Sequence, residues 1–231
     1  MNDVPPRIEV TIAAPVDTVW HALRDKETIR HWHGWDADGL DEEIDLIYFD
    51  HMTADPAART LGVQEGDVIR LEPDGDGTRV TLTRAPRGVN PDWDAYYDEI
   101  TEGWITFMNQ LRFAVERRPG VPRRTVFLSA LNKNGRDLAQ DLGLGDVGTV
   151  DLVGEKVMTE PWYRADHQLG VVVDVWGGGL LVVASHAPTE DKPDGAVMAI
   201  LSTYGLTDDQ LAELTDRWRA WWTERYGPLP E

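Results

Sequence analysis

One stretch constrains this chain more than any other: Asn90-Pro91-Asp92-Trp93 through Arg117-Arg118-Pro119-Gly120. Asn90 suits a helix cap, Pro91 suits the first helical position because its missing N–H would be unpaired there anyway, and Pro119-Gly120 supplies the stop. The spacing predicts a helix from Asp92 to Glu116, about six or seven turns at the usual residues per turn. Tyr97, Ile100, Trp104, Met108, Leu111 and Val115 recur at three- and four-residue intervals and form one apolar stripe. Asp98, Glu102, Asn109 and Arg112 fall largely off it. A helix this long and this one-sided needs a broad apolar surface opposite it. Gly103 in mid-run is unfavourable by about 1 kcal/mol relative to alanine, which suggests close approach to a strand or ligand.

The stretch before it supplies candidate strands. Arg7 to Ala13 alternates with Ile8, Val10 and Ile12 on one face, the period of a half-buried strand. Ala14-Pro15 then opens a short helix with Val16, Val19, Trp20 and Leu23 on one side, and Lys26 to His33 repeats the pattern with Ile29 and Trp32. Asp36 to Asp41 reads as an acidic turn, and Glu43 to Asp50 as a strand in which Ile44, Leu46 and Tyr48 alternate. Two further strands are expected at Val68 to Leu71 and Arg79 to Thr83, joined through Asp74-Gly75-Asp76-Gly77.

These segments together carry a family resemblance. Ile8-Glu9-Val10-Thr11-Ile12-Ala13-Ala14-Pro15, Val19-Trp20-His21-Ala22-Leu23, Ile29-Arg30-His31-Trp32, Gly77-Thr78-Arg79-Val80-Thr81-Leu82, Glu102-Gly103-Trp104 and Leu111 stand in an order that resembles the SRPBCC, or START-like, superfamily. The branch most similar is that of the C-terminal domain of the heat-shock protein 90 ATPase activator. The resemblance implies an α+β helix-grip fold: a curved antiparallel sheet around a long C-terminal helix, two short helices after the first strand, and a deep apolar cavity. Less strand-like sequence lies between Tyr48 and the Gly77-Thr78 hairpin than the family pattern leads one to expect.

Pro119 to Arg124 reads as a joint, and the second half of the chain echoes the first. Thr125 to Leu131 is strand-like, Gly135 to Leu144 helix-like and Gly148 to Val157 strand-like. Val171-Val172-Val173 and Leu180-Leu181-Val182-Val183 are dense enough for central strands, with Gly177-Gly178-Gly179 as the turn between them. After a further strand, Ala196 to Tyr204, Thr207-Asp208-Asp209-Gln210 opens a helix with a capping-box pattern, carrying Leu211, Leu214, Trp218, Trp221 and Trp222 at helical spacing. Two tandem helix-grip copies are expected, residues 1–118 and a degenerate copy at 119–231, against the alternative of one grip domain with an appendage that shares its sheet.

Composition narrows the chemistry. The 231 residues hold 41 acidic against 22 basic side chains, a net charge of −19, which repels nucleic acid and anionic lipid surfaces. There is no cysteine, so disulfides, thiolate metal sites and cysteine nucleophiles drop out. No run is long and apolar enough for a membrane span, and Met-Asn-Asp-Val-Pro-Pro lacks the basic flank and apolar core of a leader, so an unexported, cytoplasmic protein is expected. His31 and His33 are two apart and no HExxH spacing occurs, which argues against a metal site. His167 and His186 are expected in strands, with no identifiable acid–base partner. Ser129, Ser185 and Ser202 have no nucleophile elbow, and Gly177 opens no phosphate loop. No cofactor is implied.

What remains is aromatic interior. Trp32, Trp35, Tyr48, Trp104 and Met108 are candidates to line a cavity in the first half, with Tyr48, His51 and Asn109 supplying polar contacts; Trp162, Trp176, Trp218 and Trp222 are their equivalents in the second. Non-catalytic binding of a small hydrophobic ligand, lipid- or polyketide-like, is the leading expectation. The alternatives are a chaperone-activator-like interaction module and a cyclase or hydrolase, both suggested by the resemblance.

Overall fold

The computed structural model describes residues 5–63, 66–89, 91–133, 135–186, 188 and 193–227. The chain divides into two compact units, Met1–Val121 and Pro122–Glu231.

In the N-terminal unit, strand β1 (Arg7–Ile12) alternates as its residues demand, with Ile8, Val10 and Ile12 buried and Arg7, Glu9 and Thr11 exposed. Helices α1 (Val16–Ala22) and α2 (Lys26–Arg30) come next, the second capped by Asp25, whose carboxylate accepts from Thr28 N at 2.8 Å. Then come α3 (Leu40–Asp45), a π-helical turn (Leu46–Asp50), β2 (Thr53–Asp55), β3 (Thr60–Val63), β4 (Asp67–Asp74) and β5 (Gly77–Thr83). A 3-10 turn (Pro91–Tyr96) leads into α4 (Tyr97–Arg117). The sheet is antiparallel in the order β1-β5-β4-β3-β2, so the first strand pairs with the last, from Arg7↔Thr83 to Ile12↔Thr78. Trp104, Met108 and Leu111 of α4 share one core with the inward residues of β1, β3, β4 and β5. At the far end of α4, Glu116 Oε1 accepts from Ala13 N at 2.8 Å and ties the helix to the exit of β1.

Four expectations for this unit change. Residues 43–50 are helical, not a strand: Ile44, Ile47 and Tyr48 are the buried ones, spaced three and four apart, whereas Leu46 is 46% exposed. The alternation that suggests a strand puts Leu46 inward, and a helix turns it out. The long helix begins at Tyr97 rather than Asp92. Gly88 N donates to the Asp94 carboxylate, and Tyr97 Oη donates to Ala85 O, which holds the preceding segment as a tighter turn. The cap proposed for Asn90 lies outside the described residues. Strands β2 and β3, which the sequence pattern leaves out, fill the stretch between Tyr48 and the hairpin. Among the described residues Gly103 approaches no strand: a Cβ there would meet only the Phe107 ring, at 3.7 Å. Gly103→Ala is therefore expected to stabilise the protein by about 1 kcal/mol, read as a raised urea midpoint, because it gains helix propensity without a clash.

The C-terminal unit runs β6 (Arg123–Leu131), α5 (Leu138–Asp141), β7 (Gly148–Leu152), β8 (Glu155–Arg164), β9 (Gln168–Val173), β10 (Leu180–His186), β11 (Ala196–Tyr204) and α6 (Asp208–Tyr226). Its sheet is antiparallel in the order β6-β11-β10-β9-β8-β7, again with the first strand on the last. The capping box is formed: Thr207 Oγ1 accepts from Gln210 N, and Gln210 Oε1 accepts from Thr207 N at 2.9 Å. The helix expected over 135–144 shrinks to α5, started by the Asp137 side chain and ended at Gly143, φ +65°. The single strand expected over 148–157 is a hairpin, turned at Val153 and Gly154, both with positive φ, and braced by Gly154 N donating to Asp151 Oδ1 at 2.7 Å.

Thus the protein is mixed α+β, with two antiparallel sheets, each succeeded by a long helix that closes its unit's sequence. No helix among the described residues is long and apolar enough to cross a membrane.

Candidate functional site

In the N-terminal unit the helical winding of 44–48 brings Tyr48 into the core beside Trp32, both fully buried. Their rings meet edge to face at 5.7 Å, and Tyr48 meets Trp104 in the same way at 6.4 Å. Trp32 Nε1 donates to Ala22 O at 2.9 Å. Met108 is buried in the same cluster. Trp35 is only half-buried and stands outside that cluster, and His51 is exposed in the bend after the π-helical turn, so neither lines this interior. Trp35 follows the end of α2 in irregular chain and His51 stands in the bend that ends the π-helical turn, so no regular element aims either side chain at the core. Asn109 is buried, and its Nδ2 donates to Ile105 O at 2.8 Å, a bond within its own helix.

His33, which sequence reasoning weighs only as a metal ligand, is the polar residue at the centre of this core. It is fully buried, its Nδ1 lies 3.1 Å from Tyr48 Oη, and its Nε2 lies 3.3 Å from Glu43 Oε1, a carboxylate whose side chain is half exposed. Burial pushes the Tyr48 phenol well above its usual range, and the Glu43 charge pushes the same way, so the phenol keeps its proton. Glu43 as a carboxylate can only accept, so the tautomer that satisfies both contacts carries its hydrogen on Nε2, facing Glu43, and accepts the Tyr48 hydroxyl at Nδ1. The result is a polar chain from solvent to the core, with Phe107 packed on the imidazole at 4.5 Å. The signal was present in the spacing of Glu43, Ile44, Ile47 and Tyr48, but only for a reader who took that run as helix.

A second buried polar group holds the same core. Asp67 Oδ1 accepts from Ala85 N at 2.8 Å, and Oδ2 accepts from Trp104 Nε1 at 3.0 Å. Arg84 Nε stands 2.8 Å from Oδ2, close but not aligned for a linear hydrogen bond, while Arg84 Nη1 donates to Tyr97 O and Thr101 Oγ1.

In the C-terminal unit Trp176, Trp218 and Trp222 share one core, with Trp176 and Trp218 edge to face at 5.9 Å. Trp162 is buried beside a bulge in β8 and is not part of that cluster. His167 is exposed in the turn before β9 rather than in a strand, and His186, half-buried, ends β10. Trp176 has φ +58°, with Gly177 at +75° and Gly178 at +71° after it, a left-handed run unusual for so large a side chain. The indole N–H groups of Trp218 and Trp222 are fully buried and meet no acceptor among the described residues.

The end of α6 is clasped to α5. Asp141 Oδ2 accepts from Tyr226 Oη at 2.7 Å and from Arg136 Nε at 2.6 Å. Arg136 holds the Asp141 carboxyl below the usual range against the opposing effect of partial burial, and Tyr226 adds to the lowering. A carboxyl depressed on folding stabilises the fold above its unfolded value, and that stability disappears as pH falls through the depressed one. On acidification below the ordinary carboxylate range, the melting temperature of the wild type is expected to fall more steeply than that of Asp141→Asn, measured by differential scanning calorimetry.

Among the described residues no cluster of three or more His, Asp or Glu side chains is placed to hold a metal ion. No family model matches the chain, and no curated protein matches it. Solved structures similar to it include DynU16, from the dynemicin biosynthetic locus, at 18% identity over 97% of each chain with a TM-score of 0.33. Two others are di-domain ARO/CYC proteins. BexL, from the BE-7585A biosynthetic pathway, is 13% identical over 91% of this chain and 88% of its own, with a TM-score of 0.37. StfQ, from the steffimycin biosynthetic pathway, is 11% identical over 95% and 92%, with a TM-score of 0.35. Likeness at this level carries no weight for substrate or activity.

Proposed function

We propose that each unit is a copy of the helix-grip fold and that the chain binds a small hydrophobic molecule, lipid- or polyketide-like, between a sheet and its long helix, without transforming it. The repeated construction supports this most directly. In both units the first strand pairs with the last, and one long helix contributes aromatic residues to a core it shares with the sheet. Such an interior binds by removing apolar surface from water, about 25 cal/mol per Å² buried, with a few polar groups setting orientation. Titrating the full chain with fatty acids, sterols and fused-ring aromatic polyketides is expected to give a saturable change in tryptophan emission with one of these classes. At a ligand concentration of 100 times Kd the protein gains about 2.7 kcal/mol, visible as a raised melting temperature. A flat emission curve together with an unmoved melting temperature across the panel would remove the proposal.

A second reading, a cyclase or hydrolase using the same interior, is favoured by the Glu43–His33–Tyr48 chain, which joins a solvent-facing carboxylate to a buried phenol. It predicts product formation from a bound ligand, with Tyr48→Phe lowering turnover while leaving binding in place. Turnover that Tyr48→Phe leaves unchanged would separate that chain from any chemistry. The chaperone-activator role rests on the sequence resemblance alone.

A further inference from the structure

The two units differ in how the fully buried aromatic donors of their cores are satisfied, although each also holds a buried side chain with an atom unpaired among the described residues, Gln110 of α4 in the first and Ser202 of β11 in the second. In the N-terminal unit three core aromatics at 2% exposure or less find partners within the protein: Trp32 Nε1 on Ala22 O, Trp104 Nε1 on Asp67 Oδ2, and Tyr48 Oη with His33 Nδ1. In the C-terminal unit Trp218 and Trp222, both at 0% exposure, have none among the described residues. A buried donor left unpaired is unfavourable by about 1–3 kcal/mol, and native proteins hold few of them. Two in one core, one helical turn apart on the same face of α6, call for a physical reason. Edge-on contact with Trp176 softens the loss at Trp218 at most, and Trp222 meets Tyr226 at an interplanar angle of 44°, not edge on.

We infer that the C-terminal unit is the one that takes the ligand, and that the ligand is a flat apolar molecule bearing oxygen acceptors, carbonyl or quinone, that receive the Trp218 and Trp222 N–H groups. This rests on the ligand-binding reading above and adds which unit binds and by what chemistry. Residues four apart on a helix sit about 6 Å apart along its axis, at 1.5 Å per residue, so two acceptors at opposite ends of a small fused ring system can meet both indoles. The surrounding surface is apolar: Leu201, Leu181, Val183, Val171 and Leu214 belong to the same core. Trp176 supplies a further ring from the strained β9–β10 turn. Its indole N–H reaches Glu155 only at 3.4 Å, so this side chain is weakly held where a ligand edge would pass. Entry requires α6 to separate from the sheet, and the Tyr226–Asp141 contact at its C-terminal end is the polar clasp that closes it again.

The test uses the full chain, labelled with ¹⁵N-tryptophan, and two probes of similar shape, 1,4-naphthoquinone and naphthalene. The protein has no cysteine for the quinone to alkylate. Trp218→Phe and Trp222→Phe identify the two Nε1–H resonances by their disappearance. The expected result is that these two resonances move downfield with naphthoquinone and not with naphthalene, and that the quinone binds about tenfold more tightly. The affinity comparison uses wild-type protein with the matched probes and does not depend on the variants; where a variant fails to fold, contacts from each indole N–H to its own ring protons identify the resonance in wild type. Shifts confined to the indoles of the N-terminal unit would overturn the inference while leaving ligand binding intact. Equal binding of both probes with Trp218 and Trp222 unmoved would overturn it too, as would long-lived water contacts to both indole hydrogens in the free protein. If neither probe binds and the wider panel is also silent, the ligand-binding reading fails with it.

Discussion

Asp67→Ala is expected to destabilise the N-terminal unit by about 3–5 kcal/mol, the range for removing one partner of a buried ion pair. Asp67 is 2% exposed, and its two oxygens meet three groups: the Ala85 amide, the Trp104 indole and the Arg84 guanidinium. Alanine leaves all three facing an apolar space. Arg84, itself 6% exposed, would keep its contacts to Tyr97 O and Thr101 but lose its counter-charge. Trp104 would lose its acceptor at the point where α4 meets the sheet. Since domains are held together by about 5–15 kcal/mol in total, a loss of this size consumes much of the unit's margin. Urea unfolding monitored by tryptophan emission reads it as a lowered midpoint. Asp67→Asn, which keeps one acceptor oxygen, should fall between wild type and alanine. A midpoint for Asp67→Ala within error of wild type would show that these three groups find other partners and that the network does not hold the core.

Gly177→Ala is the second large effect, about 3–5 kcal/mol, and it falls on the C-terminal unit. A Cβ at Gly177 would lie 1.9 Å from Tyr204 O and 2.8 Å from Tyr204 C, on a residue whose φ is +75°. The obstacle is backbone, not the end of a flexible side chain, and that backbone is pinned because Tyr204 N donates to Trp176 O at 2.9 Å. The β9–β10 turn must therefore move off the end of β11, carrying Trp176 away from Trp218. Gly143→Ala is the control: φ there is +65° but nothing among the described residues lies within 4 Å, so only the left-handed strain of about 1–2 kcal/mol applies. Calorimetry on both variants separates the two contributions. Equal losses would mean that the turn absorbs the added methyl and that close approach does not determine this glycine.

The frame of the N-terminal unit was readable where a single period ran unbroken. Ile8, Val10 and Ile12 could face the core only as a strand, and Trp104, Met108 and Leu111 only as a helix. Residues 43–50 failed because a run rich in Ile, Leu, Tyr and Phe satisfies either period over so short a length. That one misreading hid the polar chain, since Tyr48 reaches His33 only from a helical turn. In the C-terminal unit the capping box at Thr207 and Gln210 announced α6, whereas Val153 in a left-handed turn concealed a hairpin inside one apparent strand.

Period and terminus are local, and they suffice for the order of most strands and helices, the apolar stripes of the two long helices and the tryptophans those helices carry into the interiors. Which polar atoms meet is a property of the packed chain. Glu43 with His33, Asp67 with Trp104, and the two indoles of α6 left facing no acceptor among the described residues are matters of distance between segments remote in sequence or turned by a full helical step. No local pattern encodes such distances, because they depend on how every element between them packs.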